Sequence, residues 1–298
     1  MIIQIFVPIV VLGILYVSVA MYKRFQRKKK RRSPFSDSAL LRLPGHTLNQ
    51  EIQVLSEDMN LYLVGIFLLS MMLFNEVVHM ASNKGIAPSI KNFPFLYGAF
   101  LMLIGFCLFK IFKKMSVRST LRLGYEGELV TAQELHKIMP EGNYVFHDFP
   151  ADNFNIDHVV VGPAGVFAIE TKARSKKISD NHINDAKACY INNEIVFPDF
   201  KDKQYLEQAK RQAKWLAKWL KQSTGLSVSV FPVVALPGWF VERKTPYDGM
   251  FVINPKQLKN VIKSKTVHNL DEKRIQQIIY QLEIKCRDIE ILSKQYDS

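Results

Sequence analysis

The sequence predicts an α/β domain carried behind three membrane-spanning α-helices. Three features carry that prediction. Three apolar runs lie within residues 1–115, the first and third followed by clusters of lysine and arginine, and each near the ~20 residues that cross a hydrocarbon core. Beyond them, residues 126–139 and 202–222 space their apolar side chains at helical intervals. Residues 155–172, NIDHVVVGPAGVFAIETK, are two β-branched runs broken by Gly162-Pro163-Ala164-Gly165, the pattern of a β-hairpin.

The 298 residues are 48% apolar, and the formal charge of +13 is unevenly shared. Residues 1–115 hold 14 Lys/Arg against 5 Asp/Glu, whereas residues 116–298 hold 26 against 22. The basic excess belongs mainly to the membrane part, so net charge alone is weak evidence for nucleic-acid binding. Cys107, Cys189 and Cys286 are far apart and odd in number, with no CxxC or Cys/His zinc spacing. They give no disulfide framework or zinc module and fit a reducing, cytoplasmic setting.

In chain order, residues 1–22 are the first expected transmembrane helix. Eight Lys/Arg follow between Lys23 and Arg32. A cleaved signal peptide carries its charge before the apolar run, so this run reads as a retained anchor with the N-terminus outside and the basic cluster cytoplasmic. The cluster reads as a topology signal touching anionic lipid; a nucleic-acid arm is the rival reading. Residues 23–59 form a basic cytoplasmic linker with a short helix near 50–56. Residues 60–78 are the second span, with Asn75 and Glu76 near its outer end. Residues 79–92 make an external loop, and residues 93–113 are the third span, containing Cys107. Lys110, Lys113, Lys114, Arg118 and Arg122 follow and mark the inner face again.

The soluble domain is expected over residues 116–265, with a C-terminal helix within 266–298. Its first helix, 126–139, holds Glu128 in the first turn, where a carboxylate already favours the helix dipole. A strand at 143–149 and the hairpin at 155–169 follow. Arg174, Lys176 and Lys177 then form a basic loop, either solvated or in contact with backbone phosphate. Short strands are expected at 188–191 and 194–197. The helix at 202–222 has an apolar stripe and a basic stripe that includes Lys210 and Lys214. Residues 226–236 read as a strand in which Pro232 implies an edge or bulge. A strand at 250–253, a short helix at 255–263 and an amphipathic helix at 271–292 complete the chain.

The hairpin carries the chemistry. Alternation along a strand puts Glu170 and Lys172 on one face, and folding at Gly162–Gly165 brings Asp157 beside Glu170. Two carboxylates and an amine at the end of an apolar hairpin are costly to bury without partners. A divalent cation held by oxygen ligands supplies that compensation, and Mg²⁺ typically takes one or two carboxylates plus substrate phosphate. The competing reading is a structural ion-pair network. His158 points to the opposite strand face and reads as structural.

Gly127-Glu128 opening a helix, the string 155–172, and a glutamine-bearing helix before an apolar strand resemble the nuclease-related domain family, NERD, of the PD-(D/E)xK nuclease superfamily. The likeness covers roughly residues 120–265. It implies a restriction-endonuclease-like α-β-β-β-α-β core preceded here by the three transmembrane helices. Carried over by resemblance, Glu128 is the helix-borne acid, Asp157 the strand metal ligand, and Glu170 with Lys172 the ExK pair. Gln208 most nearly matches the family glutamine, with Gln204 and Gln212 as rivals one turn away. Ile156 stands where the superfamily name has proline, as in the NERD pattern itself. The resemblance implies Mg²⁺ (or Mn²⁺) held by Asp157, Glu170 and Glu128, with Arg174, Lys176, Lys177, Lys210 and Lys214 contacting nucleic acid, DNA in preference to RNA. The expected protein is a multi-pass membrane protein touching lipid, with its nuclease-like domain cytoplasmic. The rival functions are a scaffold that binds nucleic acid without turnover and an envelope protein that docks a partner through its C-terminal helix. The sequence specifies neither a protein partner nor an oligomeric state.

Overall fold

The computed structural model describes residues 13–14, 16–22, 24, 39–83, 94–176, 186–264 and 270–290. Most of the first expected span, nearly all of the basic cluster, the external residues 84–92 and Lys177 lie outside them. The chain divides into two compact units, one of Met1–Ser38, Val54–Val117 and Glu290–Ser298, the other of Ala39–Gln53 and Arg118–Ile289.

In the first unit, residues 13–14, 16–22 and 24 are helical. Parts of α1 (His46–Asn83) and α2 (Pro94–His136) make up the rest of its described residues. Asp58 Oδ2 and Lys114 Nζ meet at 2.6 Å, pairing the two helices at one end. Large apolar side chains here face outward: Leu61 is 72% exposed, Phe74 70% and Met102 77%. Among the described residues, one helix, His46–Val78, is long and apolar enough to cross a membrane. The described residues thus give one of the three expected spans, and most of the first lies outside them. The short helix expected at 50–56 is instead part of α1, because no proline or glycine interrupts the chain between Gly45 and Gly65.

The second unit is a mixed α/β domain. After β1 (Ala39–Leu40) and the last part of α2, its strands are β2 (Tyr144–Pro150), β3 (Asn155–Gly162), β4 (Gly165–Thr171), β5 (Lys187–Ile191), β6 (Glu194–Val196) and β7 (Lys201–Asp202). Then come α3 (Gln204–Thr224), β8 (Val230–Ala235), β9 (Phe240–Arg243), β10 (Phe251–Ile253), α4 (Leu258–Lys263), α5 (Glu272–Cys286) and β11 (Ile289–Glu290), which pairs with β1. The main sheet has the order β10-β8-β4-β3-β2; β2, β3 and β4 run antiparallel, and β8 lies parallel to β4 and β10. The end of α2, β2, β3, β4, α3 and β8 keep the expected α-β-β-β-α-β order, with β5, β6 and β7 inserted between β4 and α3. A smaller sheet, β7-β6-β5-β9, packs beside it.

Strand alternation sorts the hairpin side chains into two layers. Val159, Val161, Val166 and Ala168 pack with Ala213, Leu216 and Leu220 of α3 and Ile275, Ile278 and Leu282 of α5. Val160, Phe167 and Ile169 pack on the other face against Leu135 of α2, Ile138 just beyond it, and Leu258 and Ile262 of α4. Glu170 shares the parity of Val166 and Ala168, and Asp157 that of Val159. Both acids therefore leave the sheet on the α3 side.

One expectation is corrected. Pro232 does not mark an edge strand, since β8 lies inside the sheet; β10 pairs with it from Val233 onward, so the residue lacking an N–H sits where only β4 is beside it. The C-terminal helix buries the apolar stripe of Ile275, Ile278 and Leu282 in the domain core, while Tyr280 and Ile284 of the same helix are exposed.

Candidate active site

The hairpin closes at Gly162↔Gly165, where Gly165 has φ +121°, a conformation that side-chain-bearing residues rarely adopt. With His158 opposite Ile169, the end of β3 lies beside the end of β4. Asp157 Oδ2 accepts the Thr171 backbone N–H at 2.6 Å. Glu170, only 2% exposed, meets Lys172 Nζ at 2.5 Å through Oε1. Gln208 Nε2 donates to the same Oε1 at 2.7 Å, and Gln212 Nε2 to Oε2 at 2.5 Å. Gln212 also donates to the Asn155 carbonyl at 3.1 Å. Gln208 and Gln212 are one turn apart on α3, so both reach one carboxylate. Gln212 ranks only as a rival in the sequence because its burial, 2% exposed, depends on where α3 docks.

Glu128 approaches from the other layer, on α2. Gly127 lets the helix come close: a Cβ there would lie 2.5 Å from the Ala173 Cβ. This gives the Gly-Glu pair a steric meaning that its sequence alone does not show. The Glu128 side chain is 6% exposed, and its Oε2 is buried without a hydrogen-bond partner.

The electrostatics record an excess of negative charge. Burial, with Asp148 and then Glu170 adding, pushes the Glu128 carboxyl up to about 8 against the opposing Gly45 amide and Lys172. Burial, then Glu170 and Glu128, also raises Asp157 well above the usual carboxylate range, despite the Thr171 amide and Lys172. For Lys172, burial acts to lower the pKa, but Glu170 outweighs it and the net shift is upward. The amine is therefore an ammonium ion at neutral pH.

Among the described residues, no group of three or more His, Cys, Asp and Glu side chains is gathered closely enough to hold a metal ion. Asp157 and Glu170 share the hairpin end, and Glu128 couples to Asp157 electrostatically. The physical reason is that like charges resist convergence, and here Lys172 and two glutamines engage Glu170 instead. The donor chemistry still fits a hard cation: three carboxylates face one ammonium, and the Glu128 Oε2, Thr171 Oγ1 and Gln212 Oε1 oxygens are buried without partners. Oxygen-only donors of this kind suit Mg²⁺ or Mn²⁺.

The expected nucleic-acid contacts divide. Arg174 lies with its guanidinium 3.3 Å from the Phe200 ring centroid, and Lys176 Nζ lies 5.5 Å from that of Trp239. They lie two and four residues after Lys172. Lys210 and Lys214 are exposed and project about 160–240° around α3 from the two glutamines; Lys210 donates to Asn193 Oδ1 at 2.6 Å. The structure does not gather them with the acids. His158 is fully buried on the opposite face, its Nδ1 2.9 Å from that of His147.

The fold is a mixed α/β domain, consistent with a nuclease-like core. Residues 123–237 match the family described as NERD, nuclease-related domain. Neither the curated proteins nor the solved structures include a match to the chain.

Proposed function

We propose that the protein is a membrane-anchored, Mg²⁺- or Mn²⁺-dependent nuclease that hydrolyses phosphodiester bonds of nucleic acid, DNA in preference to RNA. The observation that carries this reading is the meeting of Glu170 with Lys172, Gln208 and Gln212 beside Asp157, inside a nuclease-related domain. Asp157, Glu170 and Glu128 would hold the cation. When bound, it supplies charge neutralisation and activates water for attack on phosphorus. Lys172, already charged, favours the negative charge that builds on the phosphoryl oxygens; its raised pKa argues against a general-base role in the metal-free state. Gln208 and Gln212 fix the Glu170 rotamer through both carboxylate oxygens. Arg174 and Lys176, two and four residues beyond Lys172, would bind the flanking backbone phosphates.

The outward apolar side chains of the first unit support anchoring. Lysines and arginines after the first and third apolar runs support three spans, an external N-terminus, contact with anionic lipid and a cytoplasmic domain.

A second reading, a scaffold that binds nucleic acid without turnover, draws on both Glu170 oxygens being engaged and on the absence of a three-ligand cluster among the described residues. The full-length protein in detergent, given linear and circular DNA and RNA with Mg²⁺ or Mn²⁺, separates the two. Metal-dependent cutting that disappears in Lys172→Ala supports the nuclease. Equal residual cutting in both proteins marks a contaminant, and binding without cutting by the wild type favours the scaffold.

A further inference from the structure

We propose that residues 42–47, far outside the nuclease-related match, are a positioning element for the acidic site, holding Glu170 through Asn155 and Gln212. The inference rests on the metal-site reading above. Residues 42–47 belong to the same compact unit as the site, although they precede it by about a third of the chain.

The connection is a continuous series of hydrogen bonds. Asp148 is 4% exposed and has φ +47°, a conformation uncommon outside glycine. Its Oδ2 accepts from Arg42 Nη1 at 3.2 Å, from Thr47 N at 3.1 Å and from Thr47 Oγ1 at 2.7 Å. Arg42 Nη1 also donates to the Asp148 carbonyl at 3.2 Å. Asn155 Nδ2 donates to Thr47 Oγ1 at 2.6 Å and to Asp148 Oδ1 at 3.2 Å. The Asn155 carbonyl accepts from Gln212 Nε2, the group that also donates to Glu170 Oε2. Asn155 opens β3 two residues before Asp157, so the same link sets the start of that strand.

A second contact reaches the helix that carries Glu128. Gly45 has φ +66°, and a Cβ on it would stand 2.5 Å from the ring of Tyr125, which lies one helical turn before Glu128. The segment is tied down independently: the Arg42 N–H donates to the Cys286 carbonyl at 3.1 Å, and its guanidinium to Asp288 at 2.9 and 2.7 Å. Partners in the shell around metal ligands commonly change metal affinity by roughly 10–100-fold, and that is the scale expected here.

The test uses the full-length protein in detergent, Mn²⁺ titration calorimetry, and tryptophan fluorescence as a check on folding. Thr47→Val removes the hydroxyl and keeps the shape; Thr47→Ser restores the hydroxyl. Thr47→Val is expected to weaken Mn²⁺ binding about tenfold, with Thr47→Ser near wild type. In a Gln212→Leu background, Thr47→Val should add little further loss, because the series is already cut; a merely structural role would add its full effect. If Thr47→Val unfolds the domain, Asn155→Ala is the second variant, cutting the side-chain link while keeping the carbonyl used by Gln212, with the same loss expected. Wild-type Mn²⁺ affinity in the folded variants, or full additivity with Gln212→Leu, overturns the positioning role alone. A wild-type protein that binds no Mn²⁺ overturns the metal reading and this role with it, so the two failures are distinct.

Discussion

Lys172 Nζ lies 2.5 Å from Glu170 Oε1, and the two side chains leave the end of one strand two residues apart. The pair is asymmetric, with Glu170 at 2% side-chain exposure and Lys172 at 25%. The acid depends on the amine more than the amine depends on the acid. Removing Lys172 leaves a buried carboxylate with only neutral glutamine donors.

Lys172→Ala should therefore abolish metal-dependent cleavage and also destabilise the domain. A loss on the order of 2 kcal/mol is expected, below the ~3–5 kcal/mol of fully buried pairs because Lys172 keeps solvent contact. Urea unfolding followed by tryptophan fluorescence reads this cleanly, since Trp215, Trp219 and Trp239 all lie in the α/β unit. A Lys172→Ala protein as stable as wild type would show that the pair adds nothing to folding.

The two glutamines should separate by stability. Gln212→Leu removes the donor to Glu170 Oε2 and leaves the Asn155 carbonyl unpaired by it, costing about 1–3 kcal/mol. Gln208→Leu should cost less, because Oε1 keeps Lys172. Thermal unfolding that ranks Gln208→Leu as the more damaging change contradicts this order.

Gly127 makes a steric prediction. With 2.5 Å between its added Cβ and that of Ala173, Gly127→Ala pushes α2 off the strand end, at about 1–3 kcal/mol. Ala173→Gly should restore much of the loss in the double variant. Melting temperatures of the four proteins test it, and simple additivity would place the strain elsewhere.

His147 predicts a pH dependence. Burial, with the nearby His136 charge adding, pushes its imidazole down to about 4, from the ordinary 6.5. Above pH 6.5 both folded and unfolded states are neutral at this position. As pH falls from 6.5 toward 4, the unfolded chain takes up a proton that the folded domain refuses, so stability drops, by at most about 3 kcal/mol. Urea midpoints at pH 7 and pH 5 should differ less in His147→Gln than in wild type; an equal difference would assign the acid sensitivity to other groups.

The C-terminal helix supplies the fourth structural test. Leu282 is fully buried, and Leu282→Ala should cost about 2–5 kcal/mol. Deleting residues 271–298 should unfold the α/β unit, seen as red-shifted tryptophan emission. A folded truncated protein would show that α5 is dispensable.

What the sequence determined by itself was local. The glycine-bearing turn, the alternation along β3 and β4, and the i, i+4 spacing on α3 are short-range patterns, so the hairpin, the order of the core and the placement of Asp157, Glu170 and Lys172 could be read without coordinates. What only the tertiary structure decided depends on residues far apart in the chain. Arg42 meets Asp288 across 246 positions and Asp148 across 106, Gln212 meets Glu170 across 42, and α5 closes the core over β2 and β3. No periodicity records such pairings, because they are set by which faces are buried against each other once the chain has folded. Glu128 shows the division in one residue: its helix was legible, but its position in the opposite layer, close to the hairpin acids yet not gathered with them, follows from Gly127 packing on Ala173 and from the mutual repulsion of three buried carboxylates.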